Sequence, residues 1–187
     1  MADRLNALIL GDGDGRFTAR LLRQSPAVYV HAVDGSAAML DALTRACAPH
    51  TSRLTTEQAD LRAWQPSNLR LHDLIVTHFF LDCLSTQEVS ALARRIRPTV
   101  SPGALWMVSE FAVPPGWFGR LVAGPIVHGL YLAFGLLTGL RLRTLPDYAS
   151  ALRAAGFTRI NHRPRLGGLL VSELWAAEGG SFEGGSP

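Results

Sequence analysis

The residues best suited to chemistry stand near the start of the chain, in Ala7-Leu8-Ile9-Leu10-Gly11-Asp12-Gly13-Asp14-Gly15-Arg16-Phe17. A short apolar run feeds a loop with glycine at every second position, and a helical pattern follows at once. Strand, glycine-rich turn and helix start form a backbone shape in which a nucleotide-like ligand can lie against main-chain N–H groups. The spacing is G-x-G-x-G. A dinucleotide fingerprint, G-x-G-x-x-G, would need glycine where Arg16 stands. The loop therefore favours a nucleoside cofactor without a pyrophosphate, with S-adenosylmethionine as the candidate, over a structural turn that binds nothing. Asp34 closes the second expected strand, 19 residues beyond Gly15. A carboxylate there can accept hydrogen bonds from both hydroxyls of a ribose, and its simpler use is to cap the next helix. In Gly35-Ser36-Ala37-Ala38-Met39-Leu40, Ser36 is an N-cap type. Met39 lies one turn in and suits either nucleoside contact or core packing.

Composition narrows the chemistry further. All 18 basic side chains are arginine, so a Schiff-base, P-loop or kinase-type lysine is excluded. The formal charge is only +3, and the arginines are scattered. Arg94, Arg95 and Arg97 form the densest group and read as a solvated helix face, so no nucleic-acid partner is expected. Cys47 and Cys83 make neither a disulfide framework nor a C-x-x-C zinc spacing. The six histidines form no recognisable metal set with carboxylates, and no metal is expected. Met1 to Leu5 is polar, enters the first strand at once and is no signal peptide. A reducing, cytoplasmic setting fits, with peripheral membrane contact left open.

The elements that must position these residues alternate in type, which predicts an α/β fold with a mainly parallel sheet. Strands are expected at Asn6–Leu10, Val28–Val33, Arg53–Glu57, Leu74–Thr77 and Ala104–Phe111, the last after a Pro102-Gly103 turn. Helices are expected at Arg16–Arg23, from Ser36 to Cys47, and from Thr86 to Arg97 behind a Ser85 or Thr86 cap. Another opens at Pro146-Asp147 and ends at Gly156. Thr158–His162 and Leu169–Ala176, joined by Arg163–Gly168, form an antiparallel hairpin. The expected domain is 1–177, with a Gly/Ser-rich tail at 178–187 that composition marks as disordered.

Within 112–145, an apolar insertion, Leu121–Leu140 carries no charge across 20 residues. Its length alone qualifies it as a membrane span. Spanning would leave the last helix and hairpin across the membrane from the sheet they complete. Three readings remain: a hydrophobic lid over the site, a face dipping into a bilayer, or a homodimer interface.

In order along the chain stand Gly11-Asp-Gly-Asp-Gly15, Val33-Asp-Gly-Ser-Ala-Ala-Met-Leu40, Gln58-Ala-Asp60 and Asp73-Leu-Ile-Val-Thr-His-Phe-Phe80. This set resembles the class I S-adenosylmethionine-dependent methyltransferases, particularly the small methyltransferase-domain and quinone-biosynthesis-like types, from about Leu5 to Trp175. The resemblance implies a Rossmann-like seven-stranded sheet, mostly parallel with a C-terminal antiparallel hairpin, and helices on both faces. It implies that Gly11, Gly13 and Gly15 admit the cofactor to the backbone and that Asp34 holds the ribose, beside Gly35, Ser36 and Met39. It implies that Asp60 and the Leu61 backbone hold the adenine, and that Thr77 and His78, just after the fourth strand, lie under the sulfonium. Relatives commonly carry an acid two positions before the first loop glycine, where this chain has Ile9. Asp12 or Asp14 could take over contact with the cofactor's ammonium group. Relatives also carry covering helices before the first strand; here a cover would come from 112–143, a partner or a membrane.

Methyl transfer depends mainly on positioning. His78 is the first candidate for a base that removes an acceptor proton, and Asp82 the second. Phe79, Phe80, Glu110, Trp117, His128 and Tyr131 are the candidate substrate contacts, and their aromatic bias suits a small hydrophobic acceptor. The reading is therefore methyl transfer to O or C of an aromatic, quinone-like or lipid-like molecule. An inactive cofactor-binding subunit acting through a partner or membrane is the alternative. A nicotinamide oxidoreductase is disfavoured by Arg16.

Overall fold

The structure, a computed structural model, describes residues 5–66, 71–111 and 146–179. Among them, β1 (Leu5–Leu10), α1 (Arg16–Gln24), β2 (Val28–Asp34), α2 (Ala37–Ala46) and β3 (Leu54–Gln58) make the first half. Then come β4 (His72–His78), α3 (Thr86–Ile96), β5 (Val100–Phe111), α4 (Tyr148–Ala154), β6 (Phe157–Arg165) and β7 (Leu170–Ala177). The 112–145 insertion, with Trp117, His128, Tyr131 and the apolar Leu121–Leu140 run, lies outside the described residues, as does 180–187 of the tail. Among the described residues no helix is long and apolar enough to cross a membrane.

Local patterning explains the elements. Ala7 to Leu10 are all buried, as a central parallel strand covered on both faces requires. In α1, Thr18 and Leu22 turn inward one helical turn apart, while Arg16, Arg20 and Arg23 face water. Ser85 and Glu88 form a reciprocal capping box at the start of α3, and Val89, Leu92, Ala93 and Ile96 bury one face. Asp147 caps α4 by accepting from the Ser150 N–H at 3.0 Å. Gly156 ends it at φ +81°, a conformation glycine adopts without a Cβ clash.

The sheet order is β3-β2-β1-β4-β5-β7-β6. β1 to β5 run parallel, and β7 lies antiparallel between β5 and β6. The chain leaves β3 at one edge and returns as β4 on the far side of β1. That reversal opens a crevice beyond the carboxyl ends of β1 and β4, where ligands of open α/β sheets bind. One core cluster lies beneath α3 and α4, where the Trp106 and Phe157 rings meet edge-on at 5.3 Å. The other packs Leu22 of α1 and Leu43 of α2 on Ala7, Ile9, Val30 and Val76.

Three expected boundaries are corrected. The fourth strand runs through His78 rather than stopping at Thr77, because its ladder with β5 continues to His78↔Ser109. β5 begins at Val100, and Pro102-Gly103 lies inside it. Between His72↔Val100 and Leu74↔Leu105, β5 advances five residues against two of β4; this irregularity absorbs the proline and a Gly103 at φ +75°. The hairpin connection is shorter than 163–168. β6 reaches Arg165 despite Pro164, which is tolerated on an edge strand, and Leu166, Gly167 and Gly168 turn the chain with positive φ.

Candidate functional site

The carboxyl ends of β1 and β2 carry the glycine loop and Asp34. Gly11, Gly13 and Gly15 have φ of +67°, +62° and +78°. Two of them are also required by their neighbours. A Cβ on Gly11 would lie 2.5 Å from Phe80 Cδ2, and one on Gly15 would lie 2.5 Å from Leu43 Cα. Gly13 differs: a Cβ there would meet nothing within 4 Å, so its backbone faces open space. This is the point of the loop a ligand can approach.

The loop's acids divide between structure and site. Asp12 accepts from the Thr18 N–H at 3.0 Å and the Thr18 hydroxyl at 2.6 Å, both on Oδ2, and so secures the first turn of α1. Burial, together with Asp14 and Asp34, pushes its carboxyl above the usual range against the pull of those bonds. Asp14 forms an exposed ion pair with Arg16 at 2.8 Å. Ile9, at the position where relatives carry an acid, is only 1% exposed within the core. Asp34 accepts from the Ser36 N–H at 2.8 Å on Oδ1, which orients its carboxylate at the crevice. Its carbonyl takes the Ala59 N–H at 3.1 Å, tying the ends of β2 and β3 together. Gln58 adds a bond to the Gly35 carbonyl at 3.3 Å. Ser36 caps α2, and Met39 is 39% exposed, which removes the core-packing reading.

Asp60 lies further round and holds Arg62 through three contacts of 2.8 to 3.1 Å on the guanidinium. Those hydrogen bonds hold its carboxyl below the usual range. The Leu61 side chain is buried, and its carbonyl accepts from Arg95 Nη2 at 2.9 Å.

The ends of β4 and β5 carry the second half of the site. Thr77 is a correction: its side chain is fully buried on the α3 face, where the hydroxyl accepts from Trp106 Nε1 at 3.1 Å. It cannot lie under a ligand in the crevice. His78 alternates to the opposite face and stands edge-on to Phe17 of α1 at 4.5 Å. Burial lowers its pKa below the ordinary imidazole value, which keeps the ring neutral near pH 7. Phe79 has φ +51°, an unusual state for a bulky residue, held by its N–H to the Ser109 carbonyl at 2.7 Å. Its ring packs on Phe111 at 4.9 Å. Phe80 turns back onto Gly11 and the core.

Glu110 is a second correction. It sits 1% exposed beneath the β4–α3 connection instead of at the rim. Its Oε1 accepts from the N–H groups of Phe80 at 3.1 Å and Leu81 at 2.8 Å. It therefore pins the turn that presents Phe79 and Phe80. Oε2 is buried with no hydrogen-bond partner among the described residues. Burial and the neighbouring Asp82 push the Glu110 carboxyl well above its ordinary value, which favours its neutral form. Asp82 is likewise buried and approached by the Cys83 thiol at 3.5 Å, a thiol pushed up to about 12 by burial and by Asp82. Neither carboxyl lines the cavity described next.

A cavity of about 270 Å³ is lined by His78, Phe79, Ser109, Arg165, Leu170, Val171 and Ser172. Only the first two belong to the sequence-based candidates. Ser109 and Ser172 face each other across the β5–β7 ladder with hydroxyl oxygens 3.3 Å apart. No local motif marks them, because the antiparallel register alone brings them together. Trp117, His128 and Tyr131 lie outside the described residues.

A family model described as "Methyltransferase domain" matches residues 7–103. The chain belongs to that family. This methyltransferase domain matches TnmH at 23% identity with a TM-score of 0.70, covering 95% of this chain and 51% of that one. An O-methyltransferase family protein from Burkholderia thailandensis matches at 16% identity and TM-score 0.70, covering 95% and 52%. The N-methyltransferase NodS from Bradyrhizobium japonicum WM9, solved with S-adenosyl-L-homocysteine, matches at 13% and TM-score 0.66, covering 92% and 78%. At such identities the likeness carries the fold. The chain spans about half the length of the first two. No curated protein matches it. The fold is therefore the Rossmann-like methyltransferase fold, and S-adenosylmethionine is the cofactor to test against the site. The open backbone at Gly13 and the oriented Asp34 carboxylate fit that group, while Ile9 and the committed Oδ2 of Asp12 leave its ammonium end less well served.

Proposed function

We propose that this chain is an S-adenosylmethionine-dependent methyltransferase acting on a hydroxyl oxygen of a small aromatic acceptor held at the ends of β4, β5 and β7. The observation that carries the reading is the adjacency of two spaces at one crevice. The glycine loop and Asp34 end the neighbouring strands β1 and β2, and a separate cavity opens at His78, which ends β4 on the other side of β1. The oxygen acceptor is also what the O-methyltransferase name of one structural neighbour suggests.

When bound, S-adenosylmethionine supplies an activated methyl group whose transfer forms the O–CH₃ bond as the S–CH₃ bond breaks, with the electron pair left on sulfur. The chain's residues do the rest. Asp34 accepts from the ribose hydroxyls and fixes the nucleoside end. Phe79 and Leu170 offer an apolar surface to the acceptor ring. His78, neutral because it is partly buried, accepts the acceptor's hydroxyl proton. Glu110 acts at one remove by holding the Phe80 and Leu81 N–H groups.

The test is calorimetric titration with S-adenosylhomocysteine, beside the Asp34→Ala variant. One saturable site that weakens in the variant is expected. No binding by folded protein at millimolar ligand would sink the reading of an autonomous enzyme; binding without methyl transfer to any hydroxylated aromatic would favour the inactive cofactor-binding subunit, for which buried Ile9 is the supporting observation.

A further inference from the structure

The cavity is not wholly apolar. Arg165 lines it, at the last position of β6. Arg163, two residues earlier, pairs in register with Ser172, and Arg165 pairs with Leu170, so both belong to the sheet face that carries the cavity. Among the described residues neither guanidinium has a hydrogen bond or an ion pair.

The nearby acids are committed elsewhere. Glu173 alternates to the opposite face, where Arg159 at 2.7 Å, His162 at 2.8 Å and Trp175 Nε1 at 3.0 Å hold it. Glu110 is buried on that same far side, beneath Phe80 and Leu81. The chain between β5 and α4 cannot supply a counter-charge either. Residues 112–145 contain no Asp or Glu and add Arg120, Arg141 and Arg143. Arg165 is exposed, lines a largely apolar cavity and has no acidic partner among the described residues, so its guanidinium is open to an anion that a ligand brings.

We infer that the methyl acceptor is a small hydroxylated aromatic acid, and that Arg165 selects it by pairing with its carboxylate. This rests on the acceptor cavity proposed above. The planar guanidinium can take a carboxylate through two parallel N–H···O bonds, which a neutral hydroxyl or quinone oxygen cannot reproduce. The Ser109 and Ser172 hydroxyls then meet polar oxygens of the ring, and Phe79 and Leu170 meet its carbon face. At about 270 Å³ the cavity suits one or two fused rings.

The experiment compares two fluorescent probes, 1-hydroxy-2-naphthoate and 1-naphthol, titrated into the full chain saturated with S-adenosylhomocysteine. The acid is expected to bind about ten-fold tighter than the naphthol, with the preference shrinking as salt rises. In Arg165→Ala the two probes should bind alike, and Arg165→Lys should restore part of the difference. Homocysteine-nucleoside binding, read in the same samples, reports that each variant is folded. Loss of that binding in the wild type would overturn the cofactor reading itself. Cofactor binding with equal probe affinities, with neither probe bound, or with a preference that survives Arg165→Ala would overturn this inference alone.

Discussion

The two halves of the crevice are built in opposite ways. The proposed cofactor half takes Gly11 to Gly15 and Asp34 from the ends of two adjacent parallel strands of one β1–α1–β2 unit. Its bonds are short-range: Asp12 to Thr18, Asp34 to Ser36, Asp14 to Arg16. The acceptor half draws Ser109 from β5, Ser172 from β7 and Arg165 from β6, residues brought together only by antiparallel pairing. A parallel βα unit can thus hold one nucleoside with local chemistry. The paired C-terminal strands leave a surface whose side chains can change without disturbing that loop.

The sharpest way to break the comparison lies within the loop itself. Gly15→Ala should destabilise the fold by about 3 kcal/mol, from a left-handed backbone plus a Cβ forced onto the α2 backbone. Gly13→Ala should cost only about 1 kcal/mol, since its Cβ meets open space, yet weaken S-adenosylhomocysteine binding. Urea unfolding and calorimetry on both variants separate the two roles. Equal stability losses would mean that Gly13 is no more ligand-facing than Gly15.

Next comes Asp34→Ala. Removal of an oriented carboxylate that accepts two hydroxyls should weaken S-adenosylhomocysteine by about 100-fold, with urea stability little changed. A comparable loss of kcat, on the acceptor side, is expected from His78→Asn, about 100-fold at neutral pH. The sign of the pH dependence follows from burial. Because the His78 pKa is lowered, the neutral base persists below the ordinary value of about 6.5, and kcat should fall only at more acid pH. A wild-type profile whose acid limb lies above that value would remove His78 as the base.

The smallest effect is expected at Glu110→Gln. Glutamine keeps an oxygen for the Phe80 and Leu81 N–H groups and places an uncharged amide where burial disfavours the Glu110 charge. Stability should change by less than about 1 kcal/mol near pH 5. The glutamate's folded pKa is raised above its unfolded value, so its contribution is present at low pH and lost as pH rises through the folded pKa. The variant should therefore gain on the wild type as pH increases. Chemical unfolding across pH 5 to about 9 checks this, and a wild type that gains at high pH would reverse the assignment.

Legibility followed the same division. Gly11, Gly13 and Gly15 could be read from their spacing behind an apolar strand, and Asp34, Ser36 and Ser85 because each acts on neighbours a few residues away. Thr77 and Glu110 could not be placed correctly, because β-strand alternation sends adjacent residues to opposite faces. His78 reaches the cavity while Thr77 enters the core beside Trp106. Its place at the end of β5 makes Glu110 a candidate substrate contact in the sequence. Which face is the rim depends on α3 and α4 covering one side.

Hydrophobic periodicity, glycine spacing and capping residues were enough to determine the α/β order, the glycine loop and its acidic strand end, since all are short-range consequences of backbone geometry. Only the folded sheet decided which acids are sites and which are props. Burial set that for Asp82 and Glu110, and partner choice set it for Asp12 and Glu173. Only the β5–β7 register decided that Ser109 joins Ser172 and Arg165 of the distant C-terminal hairpin in lining one cavity. Long-range pairing carries no local signature, so the acceptor half of the site exists only in the tertiary structure.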